Sequence, residues 1–127
     1  MKYLFDSNVL IYHLNGVLNE KGTGILEEGL MGEGAYSIIS KIELLGFQQS
    51  ELAEAKTREL LNYLMEISLN SEIAEQTIQI RKLHKIKLPD AIIAATALIS
   101  GATLITRNSS DFSKISGLVL VNPFEVN

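Results

Sequence analysis

Residues 88–106 read LPDAIIAATALISGATLIT, and this stretch decides the fold class. Pro89 followed by Asp90 is a helix-start signature, because proline suits the first helical position and an acid suits the positive end of the helix dipole. The apolar run that follows predicts a buried helix to about Ser100, stopped by Gly101. Thr103 to Thr106 then reads as a buried strand. A buried helix feeding a buried strand is the repeating unit of an α/β layer structure.

The same alternation extends outward in both directions. Residues 2–5 form a short apolar run ending at Asp6 and predict a first strand, followed by a helix over 8–14. Residues 20–30 predict a helix weakened by Gly22, Gly24 and Gly29. A second strand is expected over 35–39, helices over 41–48 and 51–66, and a short strand over 67–69. Ser71 reads as the cap of a helix whose stripe is Ile73, Thr77, Ile80 and Leu83. A last strand is expected over 118–121. No repeat, low-complexity tract or linker interrupts the 127 residues, so they read as one α/β domain over 1–127 with a mostly parallel sheet.

Composition narrows the chemistry. With no cysteine there is no disulfide, thiolate metal site or cysteine nucleophile. The charge at position 6 leaves no room for the apolar region of a signal peptide. The longest uncharged run, 91–106, falls short of the ~20 residues that span a bilayer. A soluble cytoplasmic protein with no membrane contact is expected. The net charge of −4 counts against a nucleic-acid binder. That weight is partial, because acids gathered at a metal site lower net charge without covering the surface that meets phosphate.

In parallel sheets functional groups gather at the carboxyl ends of strands. Asp6 follows the first strand, Glu43 lies just after the second, Asp90 opens the long helix, and Asp111 follows the strand at 103–106 in a loop. Each has an ordinary explanation. Asp6-Ser7-Asn8 fits a turn and helix cap. Ser40-Lys41-Ile42-Glu43 fits a capping box, with Glu43 reaching back to the cap. Asp90 fits the helix dipole, and Asp111 fits a polar loop. Together they could converge on one edge of the sheet, where their repulsion would raise their pKa values unless a hard divalent cation joined them. Carboxylates gathered about such a cation suit phosphodiester hydrolysis.

Four stretches carry a family resemblance: Tyr3-Leu-Phe-Asp-Ser-Asn-Val-Leu-Ile11, Ser37-Ile-Ile-Ser-Lys-Ile-Glu-Leu44, Leu88-Pro-Asp-Ala-Ile-Ile-Ala-Ala95 and Leu104-Ile-Thr-Arg-Asn-Ser-Ser-Asp-Phe112. In order and spacing the chain resembles the PIN-domain family, and within it the VapC-like toxins of toxin–antitoxin pairs. The resemblance implies a three-layer α/β/α fold with a central, mostly parallel sheet. It implies a Mg²⁺- or Mn²⁺-dependent endoribonuclease with one or two ions, an RNA substrate, a homodimer and a small antitoxin partner. Asp6, Glu43 and Asp90 match the family's first three acids. The fourth position falls to Asp111 or to Asn108, and Thr106 and Ser7 offer hydroxyls to orient the ligands.

Arg81, Lys82, Lys85 and Lys87 precede Asp90 directly, and Arg107 precedes Asn108. All five are candidates for RNA phosphate contacts, with a solvated helix face as the alternative. His13 and His84 receive no catalytic role. Two other readings remain. Asp6-Ser-Asn8 bears a faint likeness to the nucleophile motif of haloacid-dehalogenase-type phosphatases, though its third position is Asn. The fold could also serve as a non-catalytic interaction module.

Overall fold

The computed structural model describes residues 1–125. Its centre is a five-stranded sheet made of β1 (Tyr3–Phe5), β2 (Gly34–Ser37), β3 (Met65–Ile67), β4 (Thr103–Ile105) and β5 (Leu120–Val121), in the order β3-β2-β1-β4-β5. Every pairing is parallel, with Leu4 opposite both Ala35 and Leu104.

Among the described residues seven α-helices cover the sheet: α1 (Ser7–Leu14), α2 (Glu20–Glu28), α3 (Ile38–Leu45), α4 (Glu51–Asn62), α5 (Ser71–Leu83), α6 (Leu88–Ser100) and α7 (Ser109–Phe112), with a π-helical turn (Gly29–Glu33) following α2. Alternation along the short strands divides the core between the two faces. Leu4, Ala35 and Leu104 pack with Ile73, Ile80, the alanine-rich side of α6 and Phe112. Tyr3, Phe5, Tyr36 and Ile105 pack with Val9, Leu10, Leu26, Leu60 and Leu61. The result is the expected three-layer arrangement. No helix among the described residues is long and apolar enough to cross a membrane.

Gly29 and Gly34 bracket the turn between α2 and β2, where the Phe5 ring lies against the backbone. A Cβ on Gly34 would stand 2.8 Å from Phe5 Cε2 and 2.9 Å from Gly29 Cα, so neither glycine has room for a side chain. Gly101 ends α6 in the left-handed region at φ 69°, as the sequence suggested.

Several boundaries differ from expectation. Ser40 is not a cap. Ser37 caps α3, accepting from Ile39 N at 3.1 Å, so β2 ends earlier and Ser40 lies buried inside the helix. The capping box with Glu43 is therefore absent. Ile38 and Ile39 favour strands by propensity, yet the first hydroxyl after the strand starts the helix. Asn70, not Ser71, caps α5 by accepting from Ile73 N at 2.9 Å. α4 stops at Asn62, and β3 begins two residues before the expected strand. Asp111 lies in the one-turn helix α7 and not in a loop.

Candidate active site

β1 and β4 are neighbours, but the chain leaves β1 toward β2 on one side and reaches β4 from the other. The crevice beyond their carboxyl ends is the topological switch point of the sheet, the place where parallel α/β folds bind ligands. Asp6 and Thr106 are the first residues past those two strands. Asp6 N donates to Ile105 O at 2.9 Å, so the ladder runs one residue beyond the strands and fixes both side chains in the crevice.

Asp6 is buried, at 5% exposure. It caps α1: Oδ1 accepts from Ser7 N at 2.8 Å. Oδ2 accepts from Thr106 Oγ1 at 2.8 Å and from Asn8 Nδ2 at 3.3 Å. The cap reading and the site reading thus fall on the same side chain. Burial pushes its pKa up to about 6, the Thr106 hydroxyl and Ser7 N–H hold it down in part, and the charges of Asp90 and Glu43 add to the rise.

Asp90 stands half-buried in the first turn of α6. Its pKa is also raised, first by burial and then by the charges of Glu43 and Asp111, with Lys87 pulling the other way. Glu43 is exposed on α3 but anchored: Ser7 Oγ lies 2.8 Å from Glu43 Oε1 and 2.9 Å from Ser40 Oγ. A hydroxyl carries one proton and a carboxylate accepts, so Ser7 donates to Glu43 and receives from Ser40. Asp111 accepts from Asn108 Nδ2 at 2.8 Å, which joins the two candidates for the fourth position in one pair. Thr106 Oγ1 also accepts from Asn108 N at 3.0 Å, tying this pair to the crevice.

The four acids therefore share one electrostatic neighbourhood. Among the described residues, no ion pair involves any of them. Nor do three His, Cys, Asp or Glu side chains there form a group that could hold a metal ion as they stand. The donor types suit a hard divalent cation: carboxylate oxygens and an amide oxygen, with no ion-pair partner for the acids among the described residues.

Arg81, Lys85, Ile86 and Lys87 line an open pocket together with Asp90 and Asp111. Lys82 is exposed on α5 but is not part of that lining. Arg107 stands apart, on the α1 side, against Tyr12 and Phe124. Neither His13 nor His84 lines the acidic pocket. A more apolar groove, lined by Ile11, Leu14, Leu44, Phe47, Leu52 and Lys56, contains none of the acids. The main partners that sequence reasoning missed are Ser40 and Asn8. Ser40 looked like a cap, and only the sheet geometry brings it to Ser7. Asn8 was visible as part of Asp-Ser-Asn, but its link to Thr106 at 3.4 Å spans 98 positions.

The PIN domain family profile matches residues 3–118, nearly the whole chain. The chain belongs to the PIN-domain family. It is similar to a toxin–antitoxin complex from Klebsiella pneumoniae at 35% identity and TM-score 0.81, covering 98% of this chain and 100% of that one. It is also similar to VapBC2 from Rickettsia felis, solved with a promoter DNA fragment, at 25% identity and TM-score 0.82, covering 96% and 98% of the two chains. DNA-bound VapBC from Salmonella typhimurium shares the fold at TM-score 0.83 and 22% identity, over 97% and 98%. A comparison with curated proteins found no match. The PIN fold and the likeness to VapC-type chains thus agree with the sequence motifs.

Proposed function

We propose that this PIN-domain chain is a Mg²⁺- or Mn²⁺-dependent endoribonuclease and the toxin half of a toxin–antitoxin pair. The observation that carries the proposal is the buried Asp6 carboxylate at the sheet's switch point, with the charges of Asp90 and Glu43 acting on it, that of Asp111 acting on Asp90, and no ion-pair partner for any of them among the described residues. Asp6, Asp90 and Glu43 would hold the ion, with Asp111 or Asn108 completing its surroundings. A bound divalent ion supplies charge neutralisation at the phosphate and lowers the pKa of water.

The protein's own contribution is orientation. Thr106 and Ser7 N–H fix both oxygens of Asp6. The Ser40–Ser7 relay aims Glu43. Arg81, Lys85 and Lys87 beside Asp90 offer phosphate contacts, whose neutralisation dominates nonspecific affinity for nucleic acid. Thus local positive charge stands next to the acids despite a net charge of −4. The toxin reading draws support from the toxin–antitoxin complexes among its structural relatives. The open apolar groove with exposed Ile11, Phe47 and Leu52 suits an amphipathic antitoxin segment. In this reading the protein works in the cytoplasm as a homodimer.

The test is cleavage of RNA by the purified protein with Mg²⁺ or Mn²⁺. Cleavage is expected to disappear with EDTA and in Asp6→Asn. Cleavage that survives both would exclude the metal site, and cleavage sites mapped in cellular RNA after induced expression would identify the target.

A further inference from the structure

Arg107 is an exposed arginine whose side chain and backbone are both fixed. Its guanidinium carbon stands 5.2 Å from the centre of the Tyr12 ring and 5.0 Å from that of Phe124. The two rings meet edge to face, 5.4 Å apart. Its Nη1 donates to the Tyr12 hydroxyl. The backbone is held from both sides: Arg107 N donates to Asn8 Oδ1 at 3.2 Å, and Asn122 Nδ2 donates to Arg107 O at 2.8 Å. Asn19 Nδ2 in turn holds Pro123 O at 2.8 Å, fixing the turn that carries Phe124.

An arginine on a protein surface ordinarily samples many rotamers, and ordering it on binding lowers affinity. Here Tyr12 and Phe124 already hold the side chain without a ligand, so less order remains to be lost on binding. Tyr12 takes a single donor of a fork with five, and among the described residues no carboxylate pairs with the guanidinium. The remaining donors suit a two-pronged oxygen acceptor. The location favours one kind of acceptor. Arg107 follows Thr106, whose hydroxyl bonds Asp6, and Asn8 touches both Asp6 and the Arg107 backbone. Arg81, Lys85 and Lys87 stand by α5 and α6 on one face of the sheet, and Tyr12 belongs to α1 on the other. The acids lie between two cationic flanks.

We propose that Arg107, preorganised by Tyr12 and Phe124, is a clamp for a backbone phosphodiester of single-stranded RNA, one that flanks the phosphate addressed by the acids. This deepens the nuclease reading and rests on it for the identity of the strand. Tyr12, Phe124 and Asn122 are its positioning residues. The lysine flank alone would attract a strand without fixing its register. A planar fork held on Tyr12 and Phe124, one residue past the Thr106 that bonds Asp6, would fix it.

The experiment measures binding of short single-stranded oligoribonucleotides that carry one neutral methylphosphonate linkage, walked along the strand, to wild type, Arg107→Ala, Arg107→Lys and Tyr12→Phe. In wild type, neutralising one particular linkage is expected to weaken binding about tenfold, the loss of a charge-assisted hydrogen-bonded pair. In Arg107→Ala the same neutralisation has no effect, and the slope of log affinity against log salt falls by about 0.7. Arg107→Lys keeps the slope and loses most of the affinity step, because the charge remains and the fork does not. Tyr12→Phe keeps both rings and loses part of the step without a change in melting temperature. If Arg107→Ala does not fold, Arg107→Lys carries the test alone. Equal affinity of wild type and Arg107→Lys at every linkage overturns the clamp and leaves Arg107 to a protein carboxylate or to pinning the C-terminal turn. If the linkage effect is found but no RNA is cleaved with either metal, the clamp stands and the nuclease reading fails. Cleavage that is identical in rate and position in wild type and Arg107→Lys overturns the clamp and keeps the nuclease.

Discussion

The Thr106 hydroxyl donates to Asp6 Oδ2 at 2.8 Å across the junction of β1 and β4, joining residues 100 positions apart in sequence. Thr106 is fully buried, so this bond is sheltered from water. Thr106 Oγ1 in turn accepts from Asn108 N at 3.0 Å. Thr106→Val would keep the shape and strand propensity while removing both bonds and the longer one from Asn8 Nδ2 at 3.4 Å. It would leave a buried carboxylate oxygen short of a donor and Asn108 N short of an acceptor. A loss of about 1–3 kcal/mol is expected in urea denaturation. The loss should be larger at pH 8 than at pH 5, because the ionised carboxylate is the form the hydroxyl favours. Thr106→Ser should recover most of it. Equal losses at the two pH values would mean that the bond does not serve the charged form.

The pH dependence of stability follows from Asp6 itself. Its pKa is about 6 in the folded protein, against an ordinary value of 3.8. Between those values the folded state binds more protons than the unfolded state, so stability falls as pH rises through that window. The shift is worth about 2–3 kcal/mol, all of it present below pH ~4 and lost above pH ~6. The raised pKa of Asp90 acts in the same direction. Exposed Glu28 and Glu66 are lowered and act the opposite way, but only below the normal glutamate range. Chemical denaturation without divalent ions should show the decline from pH 4 to pH 7, and Asp6→Asn should flatten it. A stability that instead rises steadily over that window would contradict the burial of an unpaired acid.

A divalent ion should reverse this decline. Mg²⁺ or Mn²⁺ bound only by the folded state stabilises by mass action, about 2.7 kcal/mol at a hundredfold excess over the dissociation constant. The rise in melting temperature should be large at pH 8, where the acids are ionised, and small at pH 5, where Asp6 holds a proton that competes with the ion. Asp6→Asn and Asp90→Asn should each abolish most of it. A monovalent salt of matched ionic strength separates site binding from screening, since it screens the acids without binding among them.

Much of this fold is visible in local sequence. Pro89 and Gly101 bound α6 because proline and a left-handed glycine act through their own backbone geometry. The strand-to-acid pattern at Asp6 and the opening of α6 at Asp90 are likewise local. Ser40 was misleading because Ser37 and Ser40 are equally good caps in isolation, and the choice depends on where β2 must end to pair with β3 through Ser37 and Ile67. Thr106 and Ser7 were legible as hydroxyls for the acids, but the partners Ser40 and Asn8 and the seat of Arg107 were hidden for the same reason. Ser40 meets Ser7, Asn8 meets Thr106 and Phe124 meets Arg107 only once the sheet is assembled with β1 between β2 and β4. Asn108 and Asp111 looked like alternatives in sequence, and the short helix α7 makes them hydrogen-bonded partners.

The Ser40–Ser7–Glu43 relay allows the aim of Glu43 to be tested separately from its charge. Ser7→Ala removes the donor to Glu43 Oε1 and leaves Ser40, which is fully buried, without the acceptor it has there. Ser40→Ala removes the bond that orients Ser7 but leaves Ser7 free to donate to Glu43. If the relay positions the carboxylate for cleavage, Ser7→Ala should lower kcat about tenfold or more with little change in KM. Ser40→Ala should have a smaller effect on kcat. In stability the order should be less separated, about 1–2 kcal/mol for either, since each removes one side of a buried hydroxyl pair. Steady-state kinetics alongside urea denaturation distinguishes the two effects. A kcat that follows stability in both variants would reduce the relay to packing, whereas a drop confined to Ser7→Ala would show that the hydroxyl acts through Glu43.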